Sequence, residues 1–137
     1  MKPNGQWTTC FGQQLAEEIL FLHGKTVSKP PKINGYEPDR QTDEFIWEVK
    51  TETYNTTGTA GEKILGCPFK YAEVPRLYGK PLRIIVLGGA EKECREEYGN
   101  LPGEKCSEEK KAFLEFFKSR QIEYVAATDL LKSLIRN

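Results

Sequence analysis

The spacing of apolar residues near the start of the chain predicts a helix over residues 9–22, with Gly24 as its stop signal. The apolar positions at helical spacing are Phe11, Leu15, Ile19 and Leu22. On a helical wheel Glu18 falls between these positions, on the stripe that should face the sheet, whereas Glu17 points elsewhere. A carboxylate in a core-facing stripe needs a partner. The alternative is that Glu18 lies at the border of the stripe and has no role.

Extended segments follow the helix. Residues 25–28 form a short candidate strand, and the stretch 30–35, with two prolines and a glycine, interrupts regular structure. Residues 35–40 and 44–53 are then typical of two strands, which a polar turn at 41–43 joins into a hairpin. The predicted sheet begins with this hairpin.

The middle of the chain carries helix and strand signals in turn. A loop of hydroxyl groups and glycines, residues 54–61, leads into a helix from about residue 61 that Pro68 and Pro75 interrupt. The β-branched run 82–87 ends at two glycines, which is typical of a buried central strand.

Three elements complete the chain after residues 91–106, a polar stretch that predicts a loop or an excursion at the sheet edge. They are a helix capped by Ser107 with the apolar stripe Phe113, Phe116 and Phe117, a strand at 122–126, and a last helix capped by Thr128. The order α-β-β-β-α-β-α-β-α predicts an α/β fold with a mixed central sheet of about five strands flanked by helices.

Size and composition predict one globular domain over residues 1–137. Apolar residues make up 38% of the chain and charged residues 29%, as in an ordinary globular protein rather than a disordered one. No run approaches the roughly 20 apolar residues of a membrane span and no apolar leader opens the chain, so we expect an intracellular, soluble protein with no membrane partner. The four cysteines form no CxxC pair and His23 is the only histidine, so we do not expect a structural zinc site.

Charge is balanced over the whole chain but not locally. Twenty basic and twenty acidic side chains cancel, so the chain lacks the global basic charge of a non-specific nucleic-acid binder. Residues 63–83 nevertheless carry an excess of lysine and arginine, which predicts a local basic surface.

The residues that carry chemistry lie on the predicted hairpin. Strand alternation puts Glu48 and Lys50 on one face, and the apolar Trp47 on the other. A turn at residues 42–43 pairs residues whose numbers sum to 85, which brings Asp39 opposite Ile46 and onto the face of Glu48 and Lys50.

Three ionisable groups on one face predict phosphodiester hydrolysis. Two carboxylates this close repel unless a cation lies between them, and their oxygens suit Mg²⁺, with Mn²⁺ as a substitute. The Lys50 ammonium can then orient or deprotonate a water and neutralise charge on a phosphorus centre. Glu37 shares the face and Asp43 lies near it, so both remain alternatives to Asp39. Another alternative is a generic α/β binding module, in which the three side chains form a surface ion-pair ladder.

Pro38-Asp39, eight further residues and then Glu48-Val49-Lys50 resemble the motif of the PD-(D/E)xK nucleases, which have the restriction-endonuclease-like fold. The resemblance covers about residues 9–126. It implies that Asp39 and Glu48 bind the metal with the backbone carbonyl of Val49, and that Lys50 assists the attacking water. It also implies that Glu18 either lies in the outer coordination shell of this metal ion or binds a second metal ion.

The surrounding sequence is similar to that of small restriction-like endonucleases, in which EVKT precedes a Thr/Gly-rich loop, a GEK and a PRLYGKPL segment. A loop of hydroxyls and glycines that opens a helix offers amides and hydroxyl groups to a phosphate. The candidate DNA-binding residues are Thr57, Thr59, Lys63, Lys70 and Arg76. Solvation of the helix is the alternative role for each basic residue. Tyr54, Tyr71 and Tyr78 are typical of core-edge aromatics, with base stacking as their alternative.

The resemblance implies a Mg²⁺-dependent endonuclease that cuts double-stranded DNA and leaves 5′-phosphates, with a homodimer supplying the second site that a double-strand cut requires. A restriction enzyme, a viral nuclease that degrades host DNA, a junction resolvase or repair nuclease, and a non-catalytic DNA-binding subunit of this fold all stay open. Sequence-specific restriction needs elements for base readout, for which residues 91–106 and 25–34 are the candidates.

Overall fold

Helices and strands alternate along the chain in the computed structural model, which describes residues 6–51 and 59–136. In chain order the elements are α1 (Gln6–Leu22), β1 (Arg40–Gln41), β2 (Ile46–Lys50), α2 (Thr59–Leu65), α3 (Cys67–Lys70), α4 (Val74–Tyr78), β3 (Leu82–Val86), α5 (Gly89–Glu93), a π-helical segment (Cys94–Tyr98), α6 (Glu108–Ser119), β4 (Ile122–Ala126) and α7 (Ala127–Arg136). The predicted α/β class is confirmed.

The strands form one mixed sheet in the order β1-β2-β3-β4. β1 and β2 are antiparallel, whereas β2, β3 and β4 run parallel. β3 lies between two parallel neighbours, which explains its apolar, β-branched composition. In the described residues the predicted strand at 25–28 is a single bridge between Ser28 and Gln41, because Pro30 and Pro31 have no amide hydrogen with which to continue the pairing.

The hairpin has a register two residues away from the predicted one. Partner numbers sum to 87, as in Gln41 with Ile46. The Thr42 amide donates to the Phe45 carbonyl at 2.9 Å, which puts the reversal at residues 43–44. Because the side-chain period of a strand is two, this shift leaves every side chain on its predicted face.

Helices cover both faces of the sheet. The face that carries Ile46, Glu48 and Lys50, called here the Glu48 face, packs against α2 to α6. The opposite face, called the Trp47 face, also carries Val49 and packs against α1 and α7. The predicted division of side chains between the two faces of β2 is confirmed. Within the described part of the chain, no helix has both the length and the apolar character needed to cross a membrane.

α1 buries a different stripe from the predicted one. Over residues 12–22 its buried positions are Gly12, Ala16, Ile19 and Leu20, while Leu15, Leu22 and Glu18 are exposed. The side chain of Phe11, also in the predicted stripe, lies outside the described part. The small residues decide the rotation, because a Cβ on Gly12 would collide with the side chain of Thr51 just after β2. Close approach of the helix to the sheet therefore depends on Gly12, and a hydrophobicity pattern does not reveal this dependence.

Two features between β3 and β4 differ from the prediction. Residues 91–106 are not a plain loop, because α5 and the π-helical segment run through their first half. Ser107 caps α6 as predicted and accepts from the Lys110 amide at 3.3 Å, but Phe113 and Phe116 are exposed and only Phe117 of the predicted stripe packs on the core. A stripe of three phenylalanines at these positions is wider than the surface that α6 buries.

The N-terminus of α7 is capped by a distant carboxylate rather than by Thr128. Glu91 accepts from the Thr128 amide at 3.1 Å and also from the Thr128 hydroxyl. Glu91 is buried and pairs with Arg95, whose Nε lies 3.2 Å from its Oε2. A negative charge at the helix start satisfies a free amide and interacts favourably with the helix dipole.

Candidate active site

Asp39 and Glu48 lie opposite each other across the hairpin, one position beyond the Arg40–Trp47 pair. The Asp39 amide donates to Oε1 of Glu48 at 3.0 Å, and the Val49 amide donates to Oδ2 of Asp39 at 2.8 Å. Each carboxylate is thus held by the backbone of the other strand. The structure brings together the two carboxylates that the sequence singled out.

Pro38 explains why the Val49 carbonyl receives no backbone hydrogen bond from the facing strand. In this register Pro38 lies opposite Val49, and it has no amide hydrogen to give to the ladder. The amide and carbonyl of one strand residue point the same way and alternate along the strand. Since the Lys50 carbonyl accepts from Leu87 on the β3 side, the Val49 carbonyl points toward β1, beside Asp39. This carbonyl is therefore available as a third oxygen ligand.

Lys50 lies between the carboxylates and the solvent. Its Nζ is 3.8 Å from Oε2 of Glu48, and its side chain is 24% exposed whereas that of Glu48 is 5% exposed. The distance is that of a loose ion pair, so the ammonium has donors left for a water or a phosphate oxygen.

Burial and repulsion make this carboxylate pair costly in the absence of a cation. Burial raises the pKa of Glu48 to about 7, the charge of Asp39 adds to the effect, and the charge of Lys50 opposes it. Burial also raises the pKa of Asp39, against the bond from the Val49 amide and the charge of Lys50. A divalent cation between the two groups would relieve both effects.

The oxygen atoms present fit Mg²⁺. This ion is usually held by one or two carboxylates, with waters and substrate phosphate oxygens in its other positions. Asp39, Glu48 and the Val49 carbonyl match that pattern. No group of three or more carboxylate, histidine or cysteine side chains suited to a metal ion occurs in residues 6–51 and 59–136.

α1 reaches the site only at the edge of the sheet, because it packs on the Trp47 face. Gln13 donates through Nε2 to Oδ1 of Asp39 at 3.0 Å. Its neighbour Gly12 permits the close approach of α1 to Thr51. Asp39 is therefore oriented from two sides, by the Val49 amide and by Gln13. Sequence reasoning missed Gln13, because its part in the site depends on the rotation of α1.

Glu18 is not brought to the site. It is exposed and lines a groove on α1 with Phe21 and Leu22. Its predicted place on the sheet-facing stripe is wrong, because that stripe is rotated toward Gly12 and Ala16. Glu17, which the helical wheel had excluded, instead pairs with Arg40, with 3.0 Å between Oε2 and Nε.

Tyr71 and Cys67 approach Glu48 from the helical side. Tyr71 lies beside Glu48, and burial together with the Glu48 charge raises the pKa of Tyr71. Burial raises the pKa of the Cys67 thiol to about 12, so Cys67 is a neutral packing group. The sequence indicated neither role. It predicted only that Pro68 interrupts the helix, and Pro68 lies in the first turn of α3.

The candidate DNA-binding residues follow β2 in the chain. Thr57 lies outside the described residues, and Thr59 is the first residue of α2. Lys63, Lys70 and Arg76 are exposed on α2, α3 and α4. Of these, Lys70 has a link to the site, since its Nζ is 5.9 Å from the ring centroid of Tyr71.

The alternatives to Asp39 lie elsewhere. Glu37 is exposed and its Oε1 is 4.0 Å from Nζ of Lys32, and Asp43 is exposed at the turn. Asp39 is the carboxylate of the hairpin that meets Glu48.

No protein-family model, no curated protein and no solved structure matches the chain.

Proposed function

We propose that the chain is a Mg²⁺-dependent endonuclease that hydrolyses phosphodiester bonds of double-stranded DNA and leaves 5′-phosphate ends. The observation that carries the proposal is the grouping of Asp39, Glu48 and Lys50 at one edge of the sheet. The attraction within a buried charge pair often fails to offset the cost of removing both charges from water. A buried carboxylate and a half-buried one beside a single loose ammonium are costlier still. Such a cost favours a catalytic role over a structural one.

Each residue of the site has its own role in the proposed reaction. Asp39, Glu48 and the Val49 carbonyl would hold Mg²⁺, which when bound supplies Lewis-acid stabilisation of the phosphate. Lys50 faces the solvent side of the pair, where it orients the attacking water and balances negative charge on phosphorus. The water oxygen bonds to phosphorus and releases a proton to solvent as the P–O3′ bond breaks, and the 3′-oxygen takes up a proton from solvent.

The basic helical segment supports DNA as the proposed substrate. Lys63, Lys70 and Arg76 are exposed on the helices that cover the Glu48 face, and in the proposal they contact backbone phosphates, with Thr57 and Thr59 at the start of the segment. The mixed sheet, in which a hairpin precedes two parallel strands, is compatible with the proposed restriction-endonuclease-like core.

The decisive experiment compares Lys50→Ala with wild type in plasmid cleavage. With Mg²⁺ the wild type should convert supercoiled plasmid to nicked or linear DNA with 5′-phosphate ends, and EDTA should abolish this. Lys50→Ala should lower the rate by about a hundredfold or more, the usual scale for a group that stabilises transition-state charge.

The chain offers a matched control for this experiment. Glu108 and Lys110 repeat the Glu-x-Lys spacing in the first turn of α6, so the double variant Glu108→Gln with Lys110→Ala should cleave like wild type. Equal cleavage by wild type and Lys50→Ala would refute the proposed nuclease activity of this site. The absence of cleavage by the wild type with any metal would refute it as well. Binding of DNA without cleavage would indicate a non-catalytic subunit, and cleavage confined to a four-way junction would indicate a resolvase.

A further inference from the structure

Phe69 presents an aromatic ring to solvent next to the candidate active site. Of the large apolar side chains in the described part of the chain, it is the most exposed, at 89%. It lies on α3, which is fixed to the protein by the buried Cys67 and Pro68. A residue two positions after Cys67 lies on the opposite side of the helix, so the ring is held away from the core on a well-anchored element.

Cations lie beside this ring. The Lys70 amide donates to the Gly66 carbonyl at 2.9 Å, so the chain keeps a helical path between α2 and α3, and the exposed Leu65 lies one turn before Phe69. Leu65 and Phe69 are called here the Phe69 ridge. The exposed Lys63 and Lys70 lie on the same two helices. Protein–protein interfaces are depleted of lysine, whereas surfaces that bind single-stranded nucleic acid combine cations with aromatic side chains.

α3 connects the Phe69 ridge to the carboxylates. Lys70 follows Phe69 directly, and its Nζ lies 5.9 Å from the ring centroid of Tyr71. Tyr71 in turn lies beside Glu48. A phosphate bound at Glu48 would therefore bring the neighbouring nucleotides of its strand to α3. This continuity favours a nucleotide over a protein segment as the occupant of the ridge.

The flat ring of Phe69 matches the face of a nucleobase. Stacking of a base on an aromatic side chain needs no particular sequence, because every base has such a face. In a regular duplex both faces of each base are covered by its neighbours. Taking a base out of the stack costs free energy, and the cost is least for a base that is already unpaired. An exposed ring beside the site thus favours DNA that contains an unpaired base.

We propose that Phe69 stacks on an unpaired base near the scissile phosphate, and that the preferred substrate of the site is duplex DNA containing such a base. The inference rests on the proposed function, since it requires a DNA phosphate at Asp39 and Glu48. Phe69 is a specificity-determining residue in this proposal, and the apolar Leu65 extends its contact along the same strand.

The test measures binding to two labelled duplexes of one sequence, of which one has a single unpaired adenine and the other is fully paired. Fluorescence anisotropy is measured with Ca²⁺, which oxygen ligands also bind, in place of Mg²⁺, and the DNA is verified as intact. The wild type should prefer the duplex with the unpaired adenine. Phe69→Ala should weaken binding to that duplex about tenfold and change binding to the paired duplex little.

Two further variants separate stacking from apolar contact. Phe69→Trp keeps a flat ring and should retain the preference, whereas Phe69→Leu is apolar without a flat face and should bind like Phe69→Ala. Phe113→Ala is the matched control, because it removes an exposed phenylalanine of α6, and it should bind both duplexes like wild type. All four substitutions change exposed side chains, so thermal unfolding should stay near that of wild type.

A wild type without preference for the unpaired adenine would overturn the proposal, as would a Phe69→Ala variant that keeps the preference or an equal loss in Phe113→Ala. Plasmid cleavage together with equal DNA binding by wild type and Phe69→Ala would refute the role of Phe69 and leave the nuclease standing. A preference that depends on Phe69 in a protein that cleaves no DNA would support the stacking and refute the nuclease activity.

Discussion

Replacing Glu48 by glutamine should stabilise the metal-free protein at neutral and alkaline pH. The side chain is 5% exposed, and its pKa in the folded protein is about 7 against an ordinary value of 4.5. Glutamine keeps an oxygen that can accept from the Asp39 amide, but it carries no charge. The substitution therefore removes the ionisation and leaves the hydrogen bond that fixes the hairpin.

The magnitude follows from proton linkage. A carboxyl group with a raised folded-state pKa contributes stability that is fully present below the unfolded value, near pH 4.5, and is lost as pH rises through about 7. The separation between these values, at roughly 1.4 kcal/mol for each pH unit, gives on the order of 3 kcal/mol at about pH 8. Burial shifts the pKa of Asp39 in the same direction, so the wild type should lose stability over this pH range.

Urea unfolding in EDTA, from about pH 5 to pH 8, measures the effect as the difference between the two proteins, in which titrating groups away from the site cancel. The advantage of Glu48→Gln should grow with pH, and Mg²⁺ should restore the wild type at high pH more than the variant. A difference that stays constant with pH, or a wild type that gains on the variant as pH rises, would refute the reasoning.

Two further substitutions test the surroundings of the site and the core. Gln13→Ala removes the donor to Oδ1 of Asp39 and should weaken Mg²⁺ binding about tenfold, with little change in unfolding free energy; calorimetric titration that finds equal affinity would contradict this role. Asn100→Leu replaces a buried amide whose nitrogen and oxygen make no hydrogen bond of normal geometry and should raise the free energy of unfolding by about 1 kcal/mol. A loss of stability in urea unfolding would instead mean that the Cys94 thiol and Tyr124 hydroxyl beside the amide are true partners.

The parts of the fold that a local pattern determines could be predicted. The strand at 122–126 and the central strand after residue 81 have the predicted positions. For the central strand this is because a short β-branched apolar run is typical of a strand between two neighbours. The hairpin register was wrong by two, yet the grouping of Asp39 with Glu48 and Lys50 depended only on odd and even positions. The face of the sheet on which a side chain lies can be predicted more reliably than the pairing register. A shift of the pairing by an even number of residues leaves every side chain on the same face.

The parts that depend on packing between elements could not be predicted. α1 has apolar residues on more than one side, and Gly12 decides which side meets the sheet through its contact with Thr51. That rotation excludes Glu18 from the site and brings in Gln13. Tyr71 likewise reaches Glu48 only because α3 docks on the Glu48 face. Each of these contacts joins elements far apart in the chain, and no local signal encodes them.

The hairpin has a consequence for the order of folding. Asp39 and Glu48 are joined by a short segment, so they meet at a small loop-closure cost, whereas pairing of β2 with β3 must close the chain between Ile46 and Leu82. In an isolated hairpin, water screens the two carboxylates. Their repulsion becomes strong when α3 docks and excludes that water. Docking of α3 is thus the folding step that protons and Mg²⁺ should accelerate, and it would be the slow step in alkaline, metal-free refolding.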